Sequence, residues 1–283
     1  MHTHDSWTLL IVDDGMVRYD LDRHEHGALD QMVTLLPPHV PHTGRLPADD
    51  RAALRGIVYV LRKNVSWRDV PAERTGCSGV TAWRRLRDWT EAGVWPRLHE
   101  VLLAELRKAG LLDMDDCAID GSHIRALKGG PHTGPSPVDR SRPGSKHHLI
   151  VDRHGTPLAV SLTGGNRHDV TQLTPLLDAI PRVRGLRGRP RHRPGRLFAD
   201  RGYDYDKYRR ILRARGITPK IARRGVPHGS GLGKTRWAVE RTFAWLHQFK
   251  RLRIRYETRA DLHHGLLQLA CSIICLRRLQ TSF

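Results

Sequence analysis

Three acidic residues stand in contexts that suit one catalytic centre: Asp120 in CAIDGSHIRA, Asp200 in RLFADRGYD and Glu240 in KTRWAVERTFAWL. Asp120 and Asp200 each close a short apolar run of strand formers, Cys117–Ala118–Ile119 and Leu197–Phe198–Ala199. Glu240 lies where Val239, Phe243 and Leu246 recur at helical spacing. Two carboxylates at strand ends and one on a helix can meet at a point and hold hard cations through oxygen. A pair of divalent cations held in that way activates a water or hydroxyl and stabilises the leaving oxygen of an in-line phosphoryl displacement.

The substrate such a site would meet follows from charge. The chain of 283 residues carries 48 Lys and Arg against 29 Asp and Glu, a formal net charge of +19. The excess is uneven: residues 1–31 hold seven acidic side chains against Arg18 and Arg23, net −5, so the remainder holds +24. A field of that size favours a polyanion through counterion release, and a nucleic-acid backbone is the expected partner. The four cysteines make no disulfide framework, and Cys271 and Cys275 share one apolar helical face as core residues. The 18 histidines show no finger-like pairing with cysteine. The longest apolar run, near 266–276, falls short of the ~20 residues of a membrane span, and no cleavable signal is visible. The expected location is cytoplasmic and nucleoid-associated, without a membrane partner.

The elements that must position the three acids divide the chain into three parts. Residues 1–28 read as an extension without regular structure. Residues 29–110 read as a helical domain. There PADDRAALRGIVYVLRKN forms one helix and VTAWRRLRDWTEA, capped by Ser78, another that stops at Gly93; PRLHEVLLAELRKAG closes the set. Short helices with tight turns, and Arg84, Arg85 and Arg87 clustered on one of them, suggest a helix-turn-helix reader of DNA. Trp83 and Trp89 read as core anchors.

Residues 111–283 read as α/β. A strand ends at Asp120; after a Gly/Pro-rich loop, HHLIVD and PLAVSLTG form an antiparallel hairpin around Arg153–Gly155. Asp169 and Gln172 suggest a capping box for the helix DVTQLTPLLDAI. The segment 182–196 holds seven arginines among Pro and Gly and reads as an open loop. Strand RLFAD, helix YDKYRRILRARG, strand ITPKIA and the helix bearing Glu240 follow, with a helical tail over 261–279. That order predicts an RNase H-like mixed sheet with flanking helices, preceded by a small all-α domain.

These residues resemble the bacterial insertion-sequence transposases of the DDE class, over about Leu29 to Leu279. The likeness rests on the lead-in LLPPHVP…DDRAALRGIVYVLRKNVSWRDVP and on AIDGSHIRA, GNRHDVTQ, ADRGYD and RWAVERTFAWL in that order. It implies double-stranded DNA as the partner, and that Asp120, Asp200 and Glu240 hold two Mg²⁺ ions, with Mn²⁺ as a substitute. Water would free a 3′-hydroxyl, which would then attack a target phosphodiester in line without a covalent intermediate. The basic residue four before the glutamate is Arg236. Where the family motif has an aromatic three residues further upstream this chain has Gly233, and where it has a basic residue seven after the glutamate this chain has His247. The resemblance also implies binding to the terminal inverted repeats of the element and to a target. Arg236, Lys250, Arg251 and the 182–196 loop would grip phosphates, and two ends handled together imply a homodimer or larger assembly. The alternatives are a metal nuclease of the same fold without strand transfer and a catalytically dead DNA-binding protein.

Overall fold

The computed structural model describes residues 49–225 and 233–280, with the backbone of two short strands, β1 (Ile11–Val12) and β2 (Met16–Val17), which pair antiparallel. Apart from these strands, the expected 1–28 extension lies outside the described residues.

Helix α1 (Asp50–Lys63) starts where the Asp49 carboxylate accepts the N–H groups of Arg51 and Ala52, and it ends at Asn64 in the left-handed region. Its apolar stripe of Ala52, Ala53, Ile57, Val60 and Leu61 is buried. A one-turn 3-10 helix at Trp67–Asp69 and α2 (Ala72–Thr75) lead to α3 (Gly79–Glu91), capped by the Ser78 hydroxyl as expected. Gly79 is required there, because a Cβ would fall 1.6 Å from the Trp67 carbonyl oxygen. Helix α4 (Val94–Lys108) follows, and Trp89 packs edge-on against Trp95 at 5.7 Å.

The remaining elements are β3 (Asp116–Ala126), β4 (Gly134–Pro135), β5 (Pro143–Val151), β6 (Pro157–Gly164), α5 (Leu173–Asp178), β7 (Arg196–Ala199), α6 (Asp206–Ala214), β8 (Thr218–Ile221), α7 (Gly233–Gln248), β9 (Ile254–Arg255) and α8 (Ala260–Gln280). The sheet runs β6-β5-β3-β7-β8. Neighbours β6, β5 and β3 are antiparallel, whereas β7 and β8 run parallel to β3. The fold is thus the expected mixed α/β sheet with flanking helices, RNase H-like in strand order. Helix α7 packs on β3 and β5, and α8 packs on β6 and α4. The helices of residues 50–108 share one apolar core with the sheet.

Three local expectations are corrected. β3 does not end at Asp120: it continues to Ala126, because β5 pairs with it as far as Arg125. The helix expected from Asp169 begins as a 3-10 turn, and α5 spans only Leu173–Asp178. There is no capping box, since the Asp169 carboxylate is drawn to Lys146 and Gln172 accepts from Ser161. The 182–196 segment is a loop but a fastened one. Val183 bridges Arg191, Arg107 donates to the Val183 carbonyl, and Arg191 pairs with Asp115.

Candidate active site

Asp120 lies where β3 loses its parallel neighbour. Ala118 is level with Phe198 on β7, so Asp200, one residue past the end of β7, follows at the height of Asp120. Both lie on the line where the sheet changes from antiparallel to parallel pairing. Side chains of equal parity on paired strands share a face, so the two carboxylates point the same way. Local N–H groups orient each one: Gly121 N donates to Asp120 Oδ1 and Gly202 N to Asp200 Oδ1, both at 2.8 Å. Burial, and beyond it the charge of Asp200, push the Asp120 carboxyl up to about 6.

Glu240 reaches this pair through a cation. Arg236, one turn earlier on α7, places Nη2 3.7 Å from Asp120 Oδ2 and 3.8 Å from Glu240 Oε1. Arg236 thus lies between Asp120 and Glu240, and Glu240 is largely exposed. Among the described residues no three His, Cys, Asp or Glu side chains form a closed set of metal ligands. Asp120 and Asp200 nevertheless fit a hard divalent cation: both offer carboxylate oxygen, and the half-buried charge of Asp120 is one that a cation would relieve.

A second layer escaped the sequence reading. The Asp169 carboxylate packs over Gly121, where a Cβ would come within 2.7 Å of Oδ1. Buried Lys146 fixes it, with Nζ donating to Asp169 Oδ1 at 2.9 Å and to the Arg167 carbonyl at 2.8 Å. His148, two residues on along β5, is fully buried with Nδ1 3.7 Å from Asp169 Oδ1 and Nε2 2.7 Å from Thr163 Oγ1. Burial lowers its imidazole to about 4, so it is neutral at pH 7. Tyr203, in the turn that Asp200 caps, is also fully buried near these acids. Lys146 and His148 stand two apart on β5, which also carries Ser145 and His147, and strand alternation places the two on a single face.

The proposed DNA contacts lie in different settings. Arg84 is exposed on α3, Arg85 pairs with Asp50 at 3.1 Å, and Arg87 pairs with Asp88 at 2.7 Å while lying over the Trp83 ring. Lys250 is exposed. Arg251 is not a surface contact. It is buried, binds Glu257 through Nε at 2.9 Å and Nη2 at 2.8 Å, and donates to the Val65 carbonyl. The reason is local: the chain folds back so that Glu257, six residues later, meets the guanidinium away from solvent.

A family model described as the transposase DDE domain matches residues 112–275, and one described as a putative transposase of the IS4/5 family matches residues 29–99. A putative transposase for insertion sequence element IS402 of Burkholderia cepacia is 62% identical over 152 residues, 54% of this chain and 72% of that protein. A putative transposase for insertion sequence element IS6501 of Brucella ovis is 31% identical over 139 residues, 47% of this chain and 98% of that protein. Among solved structures, a piggyBac transposase synaptic complex with hairpin DNA aligns with a TM-score of 0.47 at 13% identity, over 90% of this chain and 72% of that one. The chain belongs to the DDE transposase family of insertion sequences. It is accordingly an enzyme of DNA cleavage and strand transfer that uses divalent metal ions. Among the described residues no helix is long and apolar enough to cross a membrane.

Proposed function

We propose that Asp120, Asp200 and Glu240 are the carboxylates that hold this enzyme's cations, two Mg²⁺ ions in the working site. The observation that carries the reading is the levelling of Asp120 with Asp200 at the end of the adjacent parallel strand, with Asp120 half-buried and electrostatically pressed by Asp200. When bound, such ions polarise the scissile phosphate and lower the pKa of the attacking oxygen's proton. The protein's own part is positioning. The Gly121 and Gly202 N–H groups turn the two aspartates inward, and the fixed β3–β7 pairing sets their separation. Arg236 offsets part of the charge of Asp120 and Glu240 and would be free to meet a backbone phosphate once cations take over that role.

End recognition falls to residues 50–108, with Arg84 on the open face of α3, and binding of the element's terminal inverted repeats is the proposed specificity. Lys250 and the arginines of the 182–196 loop add contacts to phosphate that depend on salt but not on sequence. Two ends must be cut together, so the working form is a homodimer or larger complex.

The test is Mg²⁺-dependent cleavage and strand transfer on DNA bearing the flanking inverted repeats, wild type against Glu240→Gln. Joined products that vanish in the variant while DNA binding persists support the reading. Cleavage without joining favours a metal nuclease, and cutting that survives in the variant removes Glu240 from the site.

A further inference from the structure

The arginines of the 182–196 loop divide into two sets. Three fasten it: Arg191 pairs with Asp115, Arg196 with Asp116, and Arg193 Nη1 donates to the Arg215 carbonyl at 3.0 Å. The others, Arg182, Arg184, Arg187 and Arg189, are exposed, and among the described residues their side chains have no ion-pair or hydrogen-bond partner. The nearby acids are already engaged, Asp115 and Asp116 by the fastening arginines and Asp178 by Arg215 at 2.5 Å. Like charges on one short hairpin repel, yet the backbone beneath them is held. Val183 and Arg191 bridge its two arms, Arg107 donates to the Val183 carbonyl at 2.5 Å, and the Gly195 N–H donates to the Met114 carbonyl. Gly185, at φ +103°, lies so close to α4 that a Cβ would fall 2.2 Å from the Ala104 carbonyl oxygen.

A positive tip fixed in advance binds a polyanion with little left to order. The segment has no aromatic side chain on which an unpaired base could stack, so it fits the phosphates of a duplex better than a single strand. Its place in the fold separates it from the candidate active site. The loop enters β7 at Arg196, level with Asp116, whereas Asp200 lies past the other end of β7, level with Asp120. Four residues of extended chain span about 13 Å, so a duplex held at the carboxylates meets the loop no sooner than about four base pairs away. On its other side the loop leans on α4, the last helix of the region assigned to end recognition.

We propose that Arg182, Arg184, Arg187 and Arg189 form a second duplex-binding surface, which holds the element's own DNA inward of the cut, beside the helical region that recognises the end. The proposal rests on the reading of residues 50–108 as that region and of Asp120 and Asp200 as the place of cutting.

The experiment compares wild type with a variant carrying alanine at all four positions. Binding is measured without metal on end duplexes shortened stepwise from the element's interior, on a random duplex of the longest length, and across a range of salt. The two proteins should melt alike, because the four side chains hold nothing in the fold. On the longest end the slope of log binding constant against log salt should be smaller in the variant by about three, and the difference should vanish as the duplex shortens toward the cut. An unchanged slope on the longest end overturns the proposal, as does a difference that persists on the shortest duplex still bound. Ends bound alike, with target DNA captured poorly during strand transfer, would assign the surface to the target and also overturn it. A wild type that binds end and random duplexes equally brings down the end-recognition reading, and the proposal with it. Failure of the carboxylate reading shows separately, as cleavage that survives in Asp120→Asn.

Discussion

Arg236 Nη2 stands 3.7 Å from Asp120 Oδ2, so an arginine lies beside a half-buried acid of the candidate site. The same nitrogen is 3.8 Å from Glu240 Oε1, and the guanidinium links helix and strand where a divalent cation would otherwise be required. Arg236 lowers the Asp120 carboxyl from where burial and Asp200 would put it. Arg236→Gln should therefore move the acid limb of the pH–cleavage profile to higher pH while weakening DNA binding. An acid limb unmoved in the variant would show that the two side chains are not coupled.

The wild-type pH dependence follows from Asp120 with a definite sign. Its carboxyl titrates at about 6 in the fold against an ordinary 3.8, so between those values the folded protein binds the extra proton. Below about 6 a protonated Asp120 is a poor ligand, and cleavage at fixed metal should fall up to ~10-fold per pH unit as acid competes with the cation. The linked stability runs the other way. Protonation favours the fold, so the metal-free protein loses stability as pH rises from about 4 to about 6, by an amount on the order of 3 kcal/mol at most. Asp120→Asn removes that penalty and should melt higher than wild type at pH 7.5 without metal. A lower melting temperature there would contradict the half-buried, pressed carboxylate described above.

Much of the site was legible because its signals are local. An apolar run that ends in aspartate marks Asp120 and Asp200, and helical periodicity places Arg236 and Glu240 one turn apart. What stayed hidden depends on partners distant in sequence. β3 runs past Asp120 because β5 pairs with it, a contact no local pattern encodes. Asp169 and Gln172 have the spacing of a capping box, but Lys146, 23 residues away, takes the carboxylate. Arg251 reads as one cation in a basic run and is buried because Glu257 folds back onto it. Tyr203 lies inside a motif that the sequence singled out, yet only packing shows that its hydroxyl is buried among three acids.

Gly121 tests that packing directly. A Cβ there would meet Asp169 Oδ1 at 2.7 Å and His148 Nδ1 at 3.1 Å, both on side chains held by further hydrogen bonds. Gly121→Ala should cost about 1–3 kcal/mol of stability and displace the backbone that orients Asp120. Cleavage should therefore fall much more than DNA binding, which depends on other surfaces. Melting and cutting at wild-type levels would mean that Asp169 does not press on this strand.

Lys250 and Arg251 are neighbours with opposite roles, and substituting them separates surface charge from buried charge. Lys250 is exposed, so Lys250→Ala should leave melting within ~0.5 kcal/mol of wild type. If it contacts a phosphate, the slope of log binding constant against log salt should drop by about one. Arg251 pairs with Glu257 at 2.8 Å inside the protein and reaches back to the Val65 carbonyl after α1. Burial alone would raise the Glu257 carboxyl, but the hydrogen bond with His263 and the charge of Arg251 bring it down to about 2. A depressed carboxyl contributes stability that is present above its ordinary 4.5 and lost as pH falls toward 2. Arg251→Met leaves that carboxylate buried without its main cation, and about 3–5 kcal/mol of stability should go with it at neutral pH. The loss should shrink as pH falls below the ordinary carboxyl range and Glu257 takes up a proton. A variant that melts normally but binds DNA weakly would return Arg251 to the surface role that its sequence context suggests.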